Sequence, residues 1–128
     1  MKSPVALWLK PWGRARWVGK TILARIRYER DDGELLGQAQ VWGVVVDARA
    51  DWGLLIDLKG HAAGKQMSLP PDRRLLKPAH KGRYELEASG EVLTDPDYLC
   101  AVVLTLHDPD QAAGFDPADP PLPGFGGG

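Results

Sequence analysis

The chain has a single cysteine, three serines and three threonines in 128 residues. Cys100 alone cannot close an intramolecular disulfide, which accords with a reducing compartment. Long apolar runs are also missing. Val5 to Leu9 is far shorter than a spanning helix or a signal-peptide core, and no small-residue cleavage site follows it. The expectation is a cytoplasmic protein with no membrane span. Hydrophobic content of 44% and charged content of 26% are ordinary for a globular chain and exclude wholesale disorder.

The scarcity of nucleophiles extends to their contexts. Ser89 stands in Ala-Ser-Gly, which is not a nucleophile elbow. Cys100 has only apolar neighbours in the strand, so burial is expected to raise its pKa and silence it. His61, His80, His107 and Cys100 nowhere reach the two-to-four-residue spacing of paired zinc ligands. The triplets Asp95-Pro96-Asp97 and Asp108-Pro109-Asp110 lack the glycine and distal glutamate of a calcium loop, and read as turn starters. Gly60-His61-Ala62-Ala63-Gly64-Lys65-Gln66 resembles a phosphate loop only superficially, with three residues between the glycines and Gln66 where Ser or Thr is needed. Glu85 and Glu87 share a strand face, and a solvated face explains them better than an acid/base pair. No catalytic residue, metal or cofactor is therefore expected.

Charge is scarce by region. No acidic residue precedes Glu29, so Met1 to Arg30 holds eight Lys/Arg against one Glu, a net +7. No Lys or Arg follows Arg83, and Tyr84 to Gly128 carries nine carboxylates, a net −9. The ends either pair within the fold or present opposite faces to partners.

What is present is period-two alternation. Ile22, Ala24, Ile26 and Tyr28 oppose Arg25, Arg27 and Glu29, predicting a half-buried strand over 21–30. Asp31-Asp32-Gly33-Glu34 supplies a hairpin turn into a second arm over 34–48, where Gly37 and Gly43 permit bending. Gly53 to Leu58 and Gln66 to Leu69 read as short strands. Pro71 to Pro78 allows a turn or two of helix. Arg83 to Val92 alternates as one strand, and Tyr98 to Leu106, apolar on both faces, reads as a central strand. This spacing predicts an all-β domain over 1–107, a small antiparallel barrel of SH3-like or OB-like type with one short helix, or alternatively a two-layer sandwich. Five prolines, five glycines and four aspartates fill 108–128, which reads as a flexible acidic tail with almost nothing apolar to bury.

Residues 1–20 form a basic, Trp-rich segment. Trp8, Trp12 and Trp17 alternate with Lys10, Arg14 and Arg16, the mixture that stacks bases and neutralises phosphates on single-stranded nucleic acid. The competing reading places the tryptophans in the core. The near-neutral total charge weakens the nucleic-acid alternative.

Leu69-Pro70-Pro71-Asp72-Arg73, Gly82-Arg83-Tyr84-Glu85-Leu86, Ser89-Gly90-Glu91-Val92 and Asp95-Pro96-Asp97-Tyr98 form a series. It resembles one found in uncharacterised small bacterial β proteins of immunity-like or accessory type. The resemblance implies a non-enzymatic protein-binding module whose partner is a protein such as a toxin. The acidic run by itself points to Glu85, Glu87, Glu91, Asp95 and Asp97 as the surface for a basic partner, since the resemblance supplies no binding residues.

Overall fold

The computed structural model describes residues 16–49, 53–70 and 73–124. Eight strands follow one another: β1 (Thr21–Arg30), β2 (Leu35–Arg49), β3 (Gly53–Leu58), β4 (Gln66–Leu69), β5 (Leu76–Pro78), β6 (Arg83–Glu85), β7 (Val92–Thr94) and β8 (Tyr98–Leu106). A short helix, α1 (Pro109–Ala113), follows β8. Six strands form one sheet in the order β4-β3-β2-β1-β8-β5, and β6 pairs with β7 in a separate hairpin.

The mostly β expectation holds, and three details differ. β8 runs parallel to β1, from Ile22 opposite Tyr98 to Arg30 opposite Leu106, so the sheet is mixed rather than antiparallel. No strand pairing joins β4 to β5 among the described residues. The alternating stretch 83–92 is not one strand. It folds back through Ser89 and Gly90, where the Gly90 N–H donates to the Leu86 carbonyl and the Leu86 N–H to the Glu91 carbonyl. The segment before Pro78 makes a single 3-10 turn at Arg73–Leu75, within the turn or two expected, and then β5.

Alternation on β1 sorts the sheet into two sides as the sequence predicts. Ile22, Ala24, Ile26 and Tyr28 enter the main core with Val41, Val45, Leu54, Ile56, Leu58, Met67, Leu69 and Cys100. Residues from β1, β3, β4 and β8 meet in one cluster only if the sheet curls. β2 supplies the curvature through a bulge, since Val45 opposes Ile56 and Asp47 opposes Leu55, leaving Val46 as the extra residue. On the outer side, Leu23 packs with Leu86 and Leu93 of the hairpin to make a smaller second core, flanked by Trp42, Tyr84 and Leu99. β8 is less enclosed than a central strand. Val103 is 58% exposed, and β5 pairs with only Tyr98 to Cys100 of its second edge.

The tail is not devoid of packing. Asp108 caps α1 by accepting from the Asp110 N–H, with Pro109 in the first turn, an N-terminal signal that reading the triplet as a turn overlooked. Phe115 lies against Tyr28 with ring centroids 4.9 Å apart, in space left by Gly37. Tyr28 Oη donates to the Pro121 carbonyl (2.5 Å), the Ser68 N–H to the Pro123 carbonyl (3.0 Å), and Lys65 Nζ to Asp119 (2.7 Å). The tail thus lines the edge of β4 and covers one end of the main core.

Burial pushes the Tyr28 hydroxyl up from 10.0 to about 12, and the Cys100 thiol up from 9.0 to about 12. Each group is harder to ionise folded than unfolded. Its contribution to stability is therefore complete below the ordinary pKa and is lost as pH rises towards 12. The urea midpoint is expected to fall steadily above about pH 9, and Tyr28→Phe with Cys100→Ser to flatten that fall. An unchanged alkaline limb in the double variant would show that neither group drives it.

Candidate ligand-binding cleft

A cleft of about 520 Å³ lies where the β6–β7 hairpin leans on the outer side of the main sheet. Its position follows from the two cores. The hairpin is held by Leu86 and Leu93 over Leu23, so beyond that contact the two layers part. The floor is apolar, from Leu23, Leu75 and Leu99, and its walls carry Arg25, Arg74, Lys77 and Arg83 against one carboxylate, Glu85.

The four cations come from separate elements. Arg25 is the outward residue between Ala24 and Ile26 of β1, placed by the same alternation that buries its neighbours. Lys77 lies in β5, paired with Leu99, and Arg83 opens β6, paired with Thr94. Arg74 belongs to the 3-10 turn before β5. Arg25, Lys77 and Arg83 are exposed and make no ion pair among the described residues. Elsewhere cations are mostly engaged: Arg27 with Glu29, Arg49 with Asp47, Lys59 with Asp57 and Lys65 with Asp119. Cations gathered around a single carboxylate, Glu85, raise the local potential and favour an anion. Tyr84 is fixed at the rim, its Oη donating to the His80 carbonyl (2.7 Å), and the Gln40 side-chain oxygen accepts from the Glu87 N–H (2.8 Å). The Cys100 thiol adjoins the cleft, but burial keeps it protonated and a poor nucleophile at neutral pH.

The sequence-derived acidic surface is divided. Asp95, at positive φ, accepts from the Gly82 N–H (2.7 Å), and Asp97 accepts from the Thr21 N–H (2.8 Å) while its own N–H donates to the Thr21 carbonyl. Asp95 closes the base of the β6–β7 hairpin, and Asp97 ties the start of β8 to the start of β1. Glu91 sits over the Gly60–His61 turn, accepting from the His61 N–H (3.2 Å), the His61 ring and Trp42 Nε1 (3.5 Å). Desolvation pushes the Glu91 pKa up, and the hydrogen bonds from His61, Trp42 and Ser89 together outweigh it, so its carboxyl lies below the usual range. That carboxylate takes the place a phosphate would need at the glycine-rich turn. Glu85 and Glu87 are exposed and make no side-chain hydrogen bond or ion pair among the described residues, and Glu85 faces the cleft.

Of the basic N-terminal residues, Trp8, Lys10, Trp12 and Arg14 lie outside the described residues. Arg16 is exposed, and Trp17 is 5% exposed within the main core, tilted on Tyr98 at 5.0 Å, so it presents no face to a base. No group of three or more His, Cys, Asp or Glu suited to a metal occurs among the described residues. No helix there is long and apolar enough to cross a membrane.

Compared with known proteins, the chain matches no family model, no curated protein and no solved structure. The cleft went unread in the sequence because Arg25, Arg74, Lys77 and Arg83 converge only through the β1–β8–β5 pairing and the hairpin. The nearest local signal was the surplus of Arg on the polar face of β1.

Proposed function

We propose that the chain is a non-enzymatic protein-binding module, of the immunity or inhibitor kind, that grips a carboxylate-rich segment of its partner in the basic cleft. The observation that carries this reading is the convergence of Arg25, Lys77 and Arg83, without ion-pair partners among the described residues, around an apolar floor. An acidic side chain entering the cleft gains charge-assisted hydrogen bonds to guanidinium groups, while apolar neighbours settle on Leu23 and Leu99. The alternative surface for a basic partner retains Glu85 and Glu87 only, since Glu91, Asp95 and Asp97 bind within the fold. The scaffold is read as a small, incompletely closed barrel of SH3-like or OB-like type, working in the cytoplasm.

A protein is favoured over single-stranded nucleic acid because the described aromatic side chains are all at least partly buried, leaving no open stacking platform among the described residues. Retention from a lysate of the source organism should be compared between the immobilised chain and Arg25→Glu/Arg83→Glu. The reading expects a protein held by the first, lost from the second, and released by raised salt. Equal retention by both removes the cleft from binding, and retention abolished by nuclease assigns it to nucleic acid instead.

A further inference from the structure

Resting on the cleft as the binding surface, we infer that the partner segment binds as an extended, acidic strand added to the free edge of β8 over Ala101–Leu106. β5 covers that edge only as far as Cys100. From Ala101 to Leu106 the strand pairs with β1 on one side. On the other side the 3-10 turn Arg73–Leu75 and α1 lie near the strand, but no backbone hydrogen bond reaches it from any described residue. The contrast with β4 is informative, because there the tail meets the edge and the Ser68 N–H finds the Pro123 carbonyl.

Proteins normally blunt an open edge with lysine, proline, an inward charge or a bulge. Ala101-Val102-Val103-Leu104-Thr105-Leu106 has none of these devices, and its register against β1 is unbroken. Val103 is 58% exposed and Ala101 is exposed as well. An edge of this kind is a template for β-augmentation, in which main-chain hydrogen bonds give affinity and alternate side chains give specificity.

The cleft states the chemistry of the incoming strand. It opens at Cys100 and Ala101, where the edge becomes free, and the cations Arg25, Lys77 and Arg83 surround that point. On β1, Arg25 is level with Ala101 and Arg27 with Val103. A strand entering beside β5 would therefore direct alternate carboxylates towards the cations on the outer face and alternate apolar side chains towards the main-core face. A second copy of this chain fits less well, because its own β8 carries no carboxylate for the cleft.

The test uses the full chain and a capped peptide alternating Glu and Val, in three forms: unmodified, and N-methylated at one or the other alternate set of residues. Only one set of N–H groups faces an adjoining strand. Methylating that set should weaken binding about tenfold or more, and methylating the other should leave it nearly unchanged. Amide exchange at Ala101 to Leu106 should slow on binding the unmodified peptide. If all three forms bind alike and only signals around Arg25, Lys77 and Arg83 move, strand addition is overturned while the cleft stands. If no form binds, both readings fall. Sedimentation showing a concentration-dependent dimer dissolved by substitution in β8 assigns the edge to a second copy and overturns the acidic strand.

Discussion

Gly43→Ala should unfold the protein or leave it with a small fraction of its stability. A Cβ at Gly43 would lie 2.4 Å from the Asp57 carbonyl oxygen, 2.8 Å from Ile56 Cγ2 and 2.9 Å from the Leu58 Cα. Two of these neighbours are backbone, so no rotamer change relieves the clash. Gly43 pairs with Leu58 on β3 and with Ile22 on β1, at the middle of the sheet. Relief requires β3 to separate from β2 and withdraw Leu54, Ile56 and Leu58 from the main core. Overpacking of this kind costs about 1–3 kcal/mol when side chains can adjust, and more where backbone must move. Against a total of about 5–15 kcal/mol, that decides whether the domain folds at all. Loss of amide dispersion in NMR spectra, or a urea midpoint near zero, is the expected result. A variant within about 1 kcal/mol of the parent would show that β2 and β3 are not held this closely.

Ending the chain at Gly114 should have the next largest effect. That truncation removes Phe115 from Tyr28 and Leu122 from the main core, and takes away the carbonyls that receive Tyr28 Oη and the Ser68 N–H. Two half-buried apolar side chains and two hydrogen bonds together amount to roughly 3–5 kcal/mol. The edge of β4 would also lose its one backbone hydrogen bond to the tail among the described residues, so the truncated chain should self-associate at high concentration. Urea unfolding and light scattering check both effects. Tyr28→Phe in the full chain isolates the hydroxyl and should cost about 1 kcal/mol. If truncation costs no more than Tyr28→Phe, the tail does not rest on the core as described.

These expectations rest on features of differing visibility in the sequence. β1, β2, β3, β4 and β8 were legible because period-two alternation and turn residues such as Asp31-Asp32-Gly33 are local signals. The parallel pairing of β1 with β8 was not, since it joins segments some seventy residues apart and no local pattern encodes strand direction. The hairpin within 83–94 was hidden because Ala88-Ser89-Gly90 continues the alternation while turning the chain. In the tail, composition concealed two anchors: a few apolar residues among many prolines suffice when a glycine such as Gly37 opens a seat for Phe115.

The regional charge imbalance was plain in the sequence, but its meaning needed the fold. Much of the acidic end is spent on structure, at Asp95, Asp97, Asp108 and Asp119. Among the described residues lining the cleft, the cations without ion-pair partners are Arg25 of β1, Lys77 of β5 and Arg83 of β6.

The most direct test of the cleft as the binding surface is a backbone NMR titration of the full chain with a capped, glutamate-rich peptide at low salt. Shifts should concentrate at Arg25, Lys77, Arg83 and Tyr84, saturate, and disappear in Arg25→Glu/Arg83→Glu. Saturating shifts centred on any other surface, or identical shifts in the variant, would contradict the account.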